Sequence, residues 1–270
     1  MSSRFSADAA RALPAEVLRA VIRERAHHIL ETSLQEVLLG KPPTESHGLE
    51  TVERLLQVWE ERGLAASGDD LAWVRKLVQW TRSGPEEISF TARFSDGEIR
   101  TVRRLIQERR SVRFWEGRPV PQEMLEEIVR AGQWAPCACD LQTLRVLIVN
   151  DPEPDVAALF EGEVSGAPAH LLVCQDRRPY EFYRTSVPEH NRGLDCGAAM
   201  QNMLLMAHAL GLGAVWLTFF EPQRQALRTY LRIPDYIDVV SYISLGWPAI
   251  EPLPPGRMEL EAVLLRATDA

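Results

Sequence analysis

Asp195-Cys196-Gly197-Ala198-Ala199-Met200-Gln201-Asn202-Met203-Leu204-Leu205-Met206-Ala207-His208-Ala209-Leu210-Gly211-Leu212-Gly213-Ala214-Val215-Trp216 reads as a long helix, a glycine stop and the start of a strand. Between Asp195 and Leu210 the apolar residues leave little polar face, so the helix must be buried on nearly all sides. Asp195 suits the positive end of the helix dipole, and Gly211 suits a left-handed stop. The stretch from Met203 to Leu217 comes nearest to a membrane span, but His208, Gly211 and Gly213 interrupt it.

Outward from this helix, apolar runs and amphipathic segments follow one another. Ala214 to Phe220, Leu144 to Val149, His170 to Cys174 and Val239 to Trp247 read as strands. Pro121 to Trp134 and Pro222 to Leu231 read as helices with proline in the first turn, where a missing amide costs least. Pro179 to Asn191 is a polar, tyrosine-bearing connection. The arrangement predicts an α+β or α/β fold, a mixed central sheet flanked by helices.

Residues 1–95 read as a helical N-terminal extension ahead of a second unit, 96–270. A rough helical stripe runs from Pro14 to Leu39 and meets Gly40-Lys41-Pro42-Pro43; further helices are expected over about 48–62 and 69–82, the last ended by Ser83-Gly84-Pro85. Trp59, Trp73 and Trp80 suggest packing against another surface. A lead-in helix over 95–109 carries Ile99, Val102, Leu105 and Ile106 on one side.

A formal net charge of -8 argues against a nucleic-acid or anionic-membrane partner, so any anion site must be local. The only lysines, Lys41 and Lys76, lie before residue 100, which removes a Schiff-base or general-base lysine from the rest of the chain. Cys137, Cys139, Cys174 and Cys196 have neither disulfide-scaffold nor zinc spacing. The first residues (Arg4, Asp8, Arg11) do not read as a secretory signal, and a reducing cytoplasm is the simplest setting.

Local cations are present. Arg109-Arg110-Ser111-Val112-Arg113-Phe114 puts three arginines and a hydroxyl into five residues, a donor set that matches phosphate oxygens, although a solvated basic helix end accounts for the same charge run. Farther on come Trp134-Ala135-Pro136-Cys137-Ala138-Cys139-Asp140-Leu141-Gln142, then Ser244-Leu245-Gly246-Trp247-Pro248 and Pro254-Pro255-Gly256-Arg257.

Together with the 195–216 stretch, these four segments, in this order, resemble the nitroreductase family over about residues 101–260. The resemblance implies flavin mononucleotide (FMN) as cofactor, NADH or NADPH as electron donor, and a homodimer with two flavins at its interface. It implies that Arg109, Arg110, Ser111, Arg113 and the late Arg257 hold the phosphate and ribityl chain. It also implies that Cys137, Asp140 and Gln142 face the polar edge of the flavin ring, and that Leu217-Thr218 present a backbone amide to flavin N5. Two positions depart from the family pattern: Cys137 stands where a serine is usual and Asp140 where an asparagine is usual. An ionised aspartate only accepts hydrogen bonds, so Asp140 would accept from the ring N3–H yet repel the neighbouring carbonyl oxygens unless protonated or paired.

The implied reaction is a ping-pong hydride transfer to a small organic substrate: a nitroaromatic, quinone, enone, or an intermediate undergoing dehydrogenation. No side chain need act as nucleophile, so the catalytic residues are unknown at this level. A rival reading is a non-catalytic or flavin-poor binding protein that keeps the fold, motivated by Asp140, Cys137 and the extension. Tyr180, Tyr183, His190 and Arg192 lie where the family often places a substrate-covering segment.

Overall fold

The computed structural model describes residues 3–41, 47–65, 68–84, 93–160 and 166–265. Pro42, Pro43 and Pro85 of the expected turns lie outside the described residues.

Among the described residues four strands form one sheet in the order β1-β2-β4-β3: β1 (Leu144–Asn150), β2 (Ala169–Asp176), β3 (Gly213–Leu217) and β4 (Ile237–Gly246). Every strand pair is antiparallel; the parallel contribution comes from an isolated bridge between Ser111 and Ala214. Strand alternation divides the core. Leu171, Val173, Ile243 and Leu245 face one apolar layer, whereas Leu172, Cys174, Val239 and Tyr242 face another. α7 (Gln122–Gln133) and α10 (Asn191–Ala209) cover the first face. α8 (Pro154–Ala157) and α11 (Glu221–Tyr230) supply Val156 and Leu227 to the second. β2 is therefore buried along its whole length, which is why its middle, Leu171 to Cys174, reads as an unbroken apolar run.

The extension packs on itself and on the rest of the chain. Its helices are α1 (Ala7–Arg11), α2 (Ala15–Arg25), α3 (Thr32–Leu38), α4 (His47–Glu61) and α5 (Asp69–Ser83). A π-helical segment, Ala26–Glu31, joins α2 to α3, so the expected single helix over 14–39 changes its winding midway. The apolar cluster of these helices, with Leu18, Ile22, Leu55, Trp59 and Leu71, also encloses Leu141, Tyr180, Tyr183 and Val187. The polar connection 179–191 is thus partly ordered into α9 (Arg178–Phe182) and sits under the extension.

Two boundaries differ from expectation. α10 begins at Asn191 rather than Asp195, so Asp195 lies one turn inside the helix, and its carboxylate accepts from Ala138 and Tyr180. β3 ends at Leu217, and Phe220 becomes the residue before α11 instead of continuing the strand.

Candidate functional site

The arginine stretch is placed by α6 (Asp96–Glu108) and by the edge strand β3. A reciprocal capping box between Ser95 and Glu98 starts α6. The chain leaves it at Arg109 in extended conformation, and Val112 donates its amide to Ala214 O at 3.2 Å. This approach requires glycine at 213: a Cβ there would lie 2.7 Å from Val112 Cβ. Trp115 Nε1 donates to Gly213 O at 2.8 Å and holds the far end of the segment.

The result is a gathering of like charges. Arg109 is half-buried, and burial followed by the nearby guanidinium groups of Arg110 and Arg257 depresses its pKa. Among the described residues Arg110 donates to the Gln107 and Arg109 carbonyls (2.6 and 3.0 Å), and Arg257 to Gly256 O (2.8 Å). Arg104 is paired with Glu108, but Arg109, Arg110, Arg113 and Arg257 form no salt bridge among the described residues. Ser111 is half-buried and Arg113 exposed. His208, near the end of α10, shares this neighbourhood: burial lowers its pKa, and Glu108, Arg109 and Arg110 lie close enough to act on it.

The loop 136–142 is built differently. It makes a short 3-10 turn, Ala138–Asp140, and three non-glycine residues take left-handed backbone angles: Cys139 (φ 55°), Asp140 (φ 52°) and Gln142 (φ 48°). Such positions cost on the order of 1–3 kcal/mol each and persist only when their surroundings over-determine them. Here the surroundings do so from two sides. From α10, Asp195 Oδ1 accepts the Ala138 amide at 3.0 Å, and its Oδ2 accepts the Tyr180 hydroxyl at 2.6 Å. From α2, the buried Arg23 donates to Asp140 O (3.3 Å) and Leu141 O (2.7 Å). Its third donor meets Asp70 Oδ2 at 2.8 Å, and Arg19 grips the same carboxylate at 2.6 and 2.8 Å. These bonds outweigh burial and hold Asp70 at about 2. A second fastening joins the buried Glu24 to the Tyr183 hydroxyl at 2.6 Å.

Within the loop, Gln142 Nε2 donates to Asp140 Oδ1 at 2.9 Å, so the aspartate is partnered by its own chain. Burial raises its pKa, while Gln142, Arg23 and His27 pull the other way. Burial pushes the Cys137 thiol up to about 11, which keeps it protonated near neutral pH. At the exit of β3, Leu217 is buried and Thr218 exposed.

The predicted site residues therefore fall into two groups. Arg109, Arg110 and Arg257 lie with His208 near the C-terminal end of α10, and Ser111 follows them against β3; the 137–142 loop is tied to Asp195 near the N-terminal end. Thirteen residues separate Asp195 from His208, about 20 Å at ~1.5 Å per residue. One chain does not bring the two groups together. Sequence reasoning missed Arg23, Asp70, Arg19 and Glu24. Their signal was a run of three charges, Arg23, Glu24 and Arg25, set directly between the buried Ile22 and Ala26. Of the segment expected to cover substrate, Tyr180 and Tyr183 are buried structural donors and Arg192 pairs with Asp238. An open apolar groove lined by Leu159, Pro222, Ala226 and Tyr230 lies over α11, on the sheet face opposite α10.

The model of the Nitroreductase family matches residues 106–161 and 155–247. A protein of Archaeoglobus fulgidus assigned as an NADH dehydrogenase/NAD(P)H nitroreductase is 35% identical over 158 residues, 55% of this chain and 86% of its own length. The FMN reductase [NAD(P)H] of Bacillus subtilis is 30% identical over 58% of this chain and 70% of its own. Among solved structures, a protein of Desulfovibrio desulfuricans in complex with FMN superposes with a TM-score of 0.54 at 33% identity, covering 61% of this chain and 95% of that one.

Proposed function

This chain belongs to the nitroreductase family, and on that footing we propose that it is an FMN-dependent oxidoreductase taking electrons from NADH or NADPH and passing them to a small organic acceptor in a ping-pong cycle. Bound FMN supplies the electron-transfer chemistry; the chain binds, orients and tunes it.

The observation that carries this reading is the set of arginines with no carboxylate partner. In a chain of net charge -8, Arg109, Arg110 and Arg257 crowd together, Arg109 is partly buried, and none forms a salt bridge among the described residues. Desolvated like charges repel, so an arrangement of this kind needs an anion to complete it. The donor set fits the phosphate end of FMN, with Ser111 and Arg113 in the same extended stretch. The loop residues Cys137, Asp140 and Gln142 would meet the polar edge of the ring, and the backbone at Leu217-Thr218 would face its reactive side.

Two copies of the chain are needed for that assembly. A two-fold axis beside α10 sets the helix antiparallel to its mate, so the arginine end of one protomer meets the loop end of the other. The exposed apolar residues of α6 and of the C-terminal segment give such an axis surface to bury. The four cysteines are free thiols, which suits the reducing cytoplasm. No helix among the described residues is long and apolar enough to cross a membrane. We read 1–95 as an added unit ahead of the 96–270 unit; its described residues are mostly helical and reach the 136–142 loop through Arg23.

The test is direct. Purified protein should show flavin absorption, bind one FMN per chain, and oxidise NADH or NADPH when offered a quinone or nitroaromatic. A colourless protein that takes up no FMN on titration overturns the reading.

A further inference from the structure

The extension lies ahead of the segments that the family model matches, yet it makes specific polar contacts with the 136–142 loop. We propose that Arg23 is a positioning residue for the flavin site: its guanidinium clamps the Asp140 and Leu141 carbonyls and thereby fixes the left-handed loop that presents Cys137, Asp140 and Gln142. This rests on the FMN reading above.

The geometry is that of a clamp rather than of a generic buried charge. Nε and Nη2 reach two successive carbonyls of the loop, while Nη1 is taken by Asp70. Asp70 is in turn fixed by the forked Arg19, so the aim of Arg23 is set by two helices, α2 and α5. The clamped carbonyls sit among the three strained residues Cys139, Asp140 and Gln142. Asp195 holds the amide of Ala138 from the opposite side, so the loop is pinned at both ends of its turn. A loop held away from its relaxed conformation by outside bonds will relax when those bonds go. Because the two groups of site residues lie at opposite ends of α10, the extension of one chain would position the loop that completes its mate's flavin site.

Arg23→Lys separates positioning from charge compensation. Lysine keeps a cation beside Asp70, but its single ammonium cannot reproduce the planar fork that serves two carbonyls and a carboxylate. Asp70→Asn keeps Arg23 and removes what aims it. Hydrogen exchange of the full chain without FMN reads the clamp directly: both variants should exchange faster in the 136–143 peptide, with β2 and α10 unchanged. FMN titration should then show affinity lower by about tenfold, the scale of one hydrogen bond to a charged group, together with an altered visible circular dichroism band of bound flavin. Unchanged exchange in the loop overturns the clamp. Faster exchange with unchanged FMN affinity and dichroism overturns the positioning role. Wild-type protein that binds no FMN sinks the cofactor reading, while the exchange arm still decides the clamp. If one variant does not fold, the other carries the same comparison.

Discussion

Tyr180 donates its hydroxyl to Asp195 at 2.6 Å, and the other oxygen of that carboxylate accepts the Ala138 amide at 3.0 Å. One side chain of α10 thus joins α9 to the start of the 136–142 loop. Burial raises the Asp195 pKa, and the two donors offset part of that rise. Replacing Tyr180 with phenylalanine removes one donor to a charged acceptor and should lower stability by roughly 1.5–3 kcal/mol. The check is the urea midpoint at pH 7; a variant as stable as the wild type would show that the bond contributes nothing net. Since the folded pKa is raised, ionising Asp195 works against folding as pH climbs above about 4. Losing the tyrosine donor should widen that pH window.

What could be read from the sequence was what repeats with a fixed period. β2 is apolar from Leu171 to Cys174 because both faces are covered, and α10 shows its burial through Ala199, Met200, Met203 and Leu204. The arginine cluster was legible because charge is conspicuous within one short stretch. The clamp was not. Arg23 contacts residues more than a hundred positions away, and a charge in an amphipathic helix reads first as solvated. Asp195 misled for a related reason: its position suggested a helix start, whereas its bonds run to Ala138 and Tyr180. The strand order β1-β2-β4-β3 also depends on pairings between distant segments, which no local pattern encodes.

The proposed phosphate site yields the second prediction. Arg109→Ala and Arg257→Ala should each weaken FMN binding by roughly 1.5–3 kcal/mol, at least a tenfold rise in Kd. Removing one cation also relieves its neighbour, since Arg109 and Arg257 repel each other without the anion. The double variant should therefore lose less than the sum of the two single losses. Fluorescence titration of FMN tests this, and unchanged affinity in both single variants would place the phosphate elsewhere.

His170 supplies a prediction about acid. It is buried, bonds Ser244 Oγ through Nδ1 at 2.9 Å, and stacks on Phe160 with ring centroids 4.0 Å apart. Burial pushes its pKa down to about 4. The unfolded chain takes up that proton near pH 6.5, so stability falls as pH drops from 6.5 toward 4 and the term is constant below. About 2 kcal/mol should be lost between pH 7.5 and pH 5. The pKa of Asp70 lies at about 2, so the stability it contributes is intact above pH 3.8 and lost only in stronger acid. Urea unfolding of His170→Gln should therefore show a flatter profile in the 5–7.5 range. An equally steep profile would assign the loss to other groups.

The last prediction concerns association. α6 has no buried residue, and Ile99, Val102 and Ile106 along it are each about half exposed (45%, 52% and 55%). In α10, Cys196, Met200, Met203 and Ala207 are buried against the sheet and α7, whereas Leu194 stands exposed and Leu205 half-buried. The C-terminal segment adds exposed Ile250, Leu253, Met258 and Leu260. A surface this apolar is characteristic of an interface rather than of a monomer. A single protomer also leaves the arginine cluster and the 136–142 loop at opposite ends of α10, and one two-fold axis would remedy both the exposure and the separation. The dimer should be obligate, with an interface above about 2,000 Å². Sedimentation equilibrium at low micromolar concentration should give twice the 30.5 kDa chain mass. Ile106→Glu, which places a charge on the exposed face of α6, should shift the protein toward monomer and lose FMN in the same titration, since neither chain alone holds both groups. A folded monomer that keeps wild-type FMN affinity would overturn the shared site.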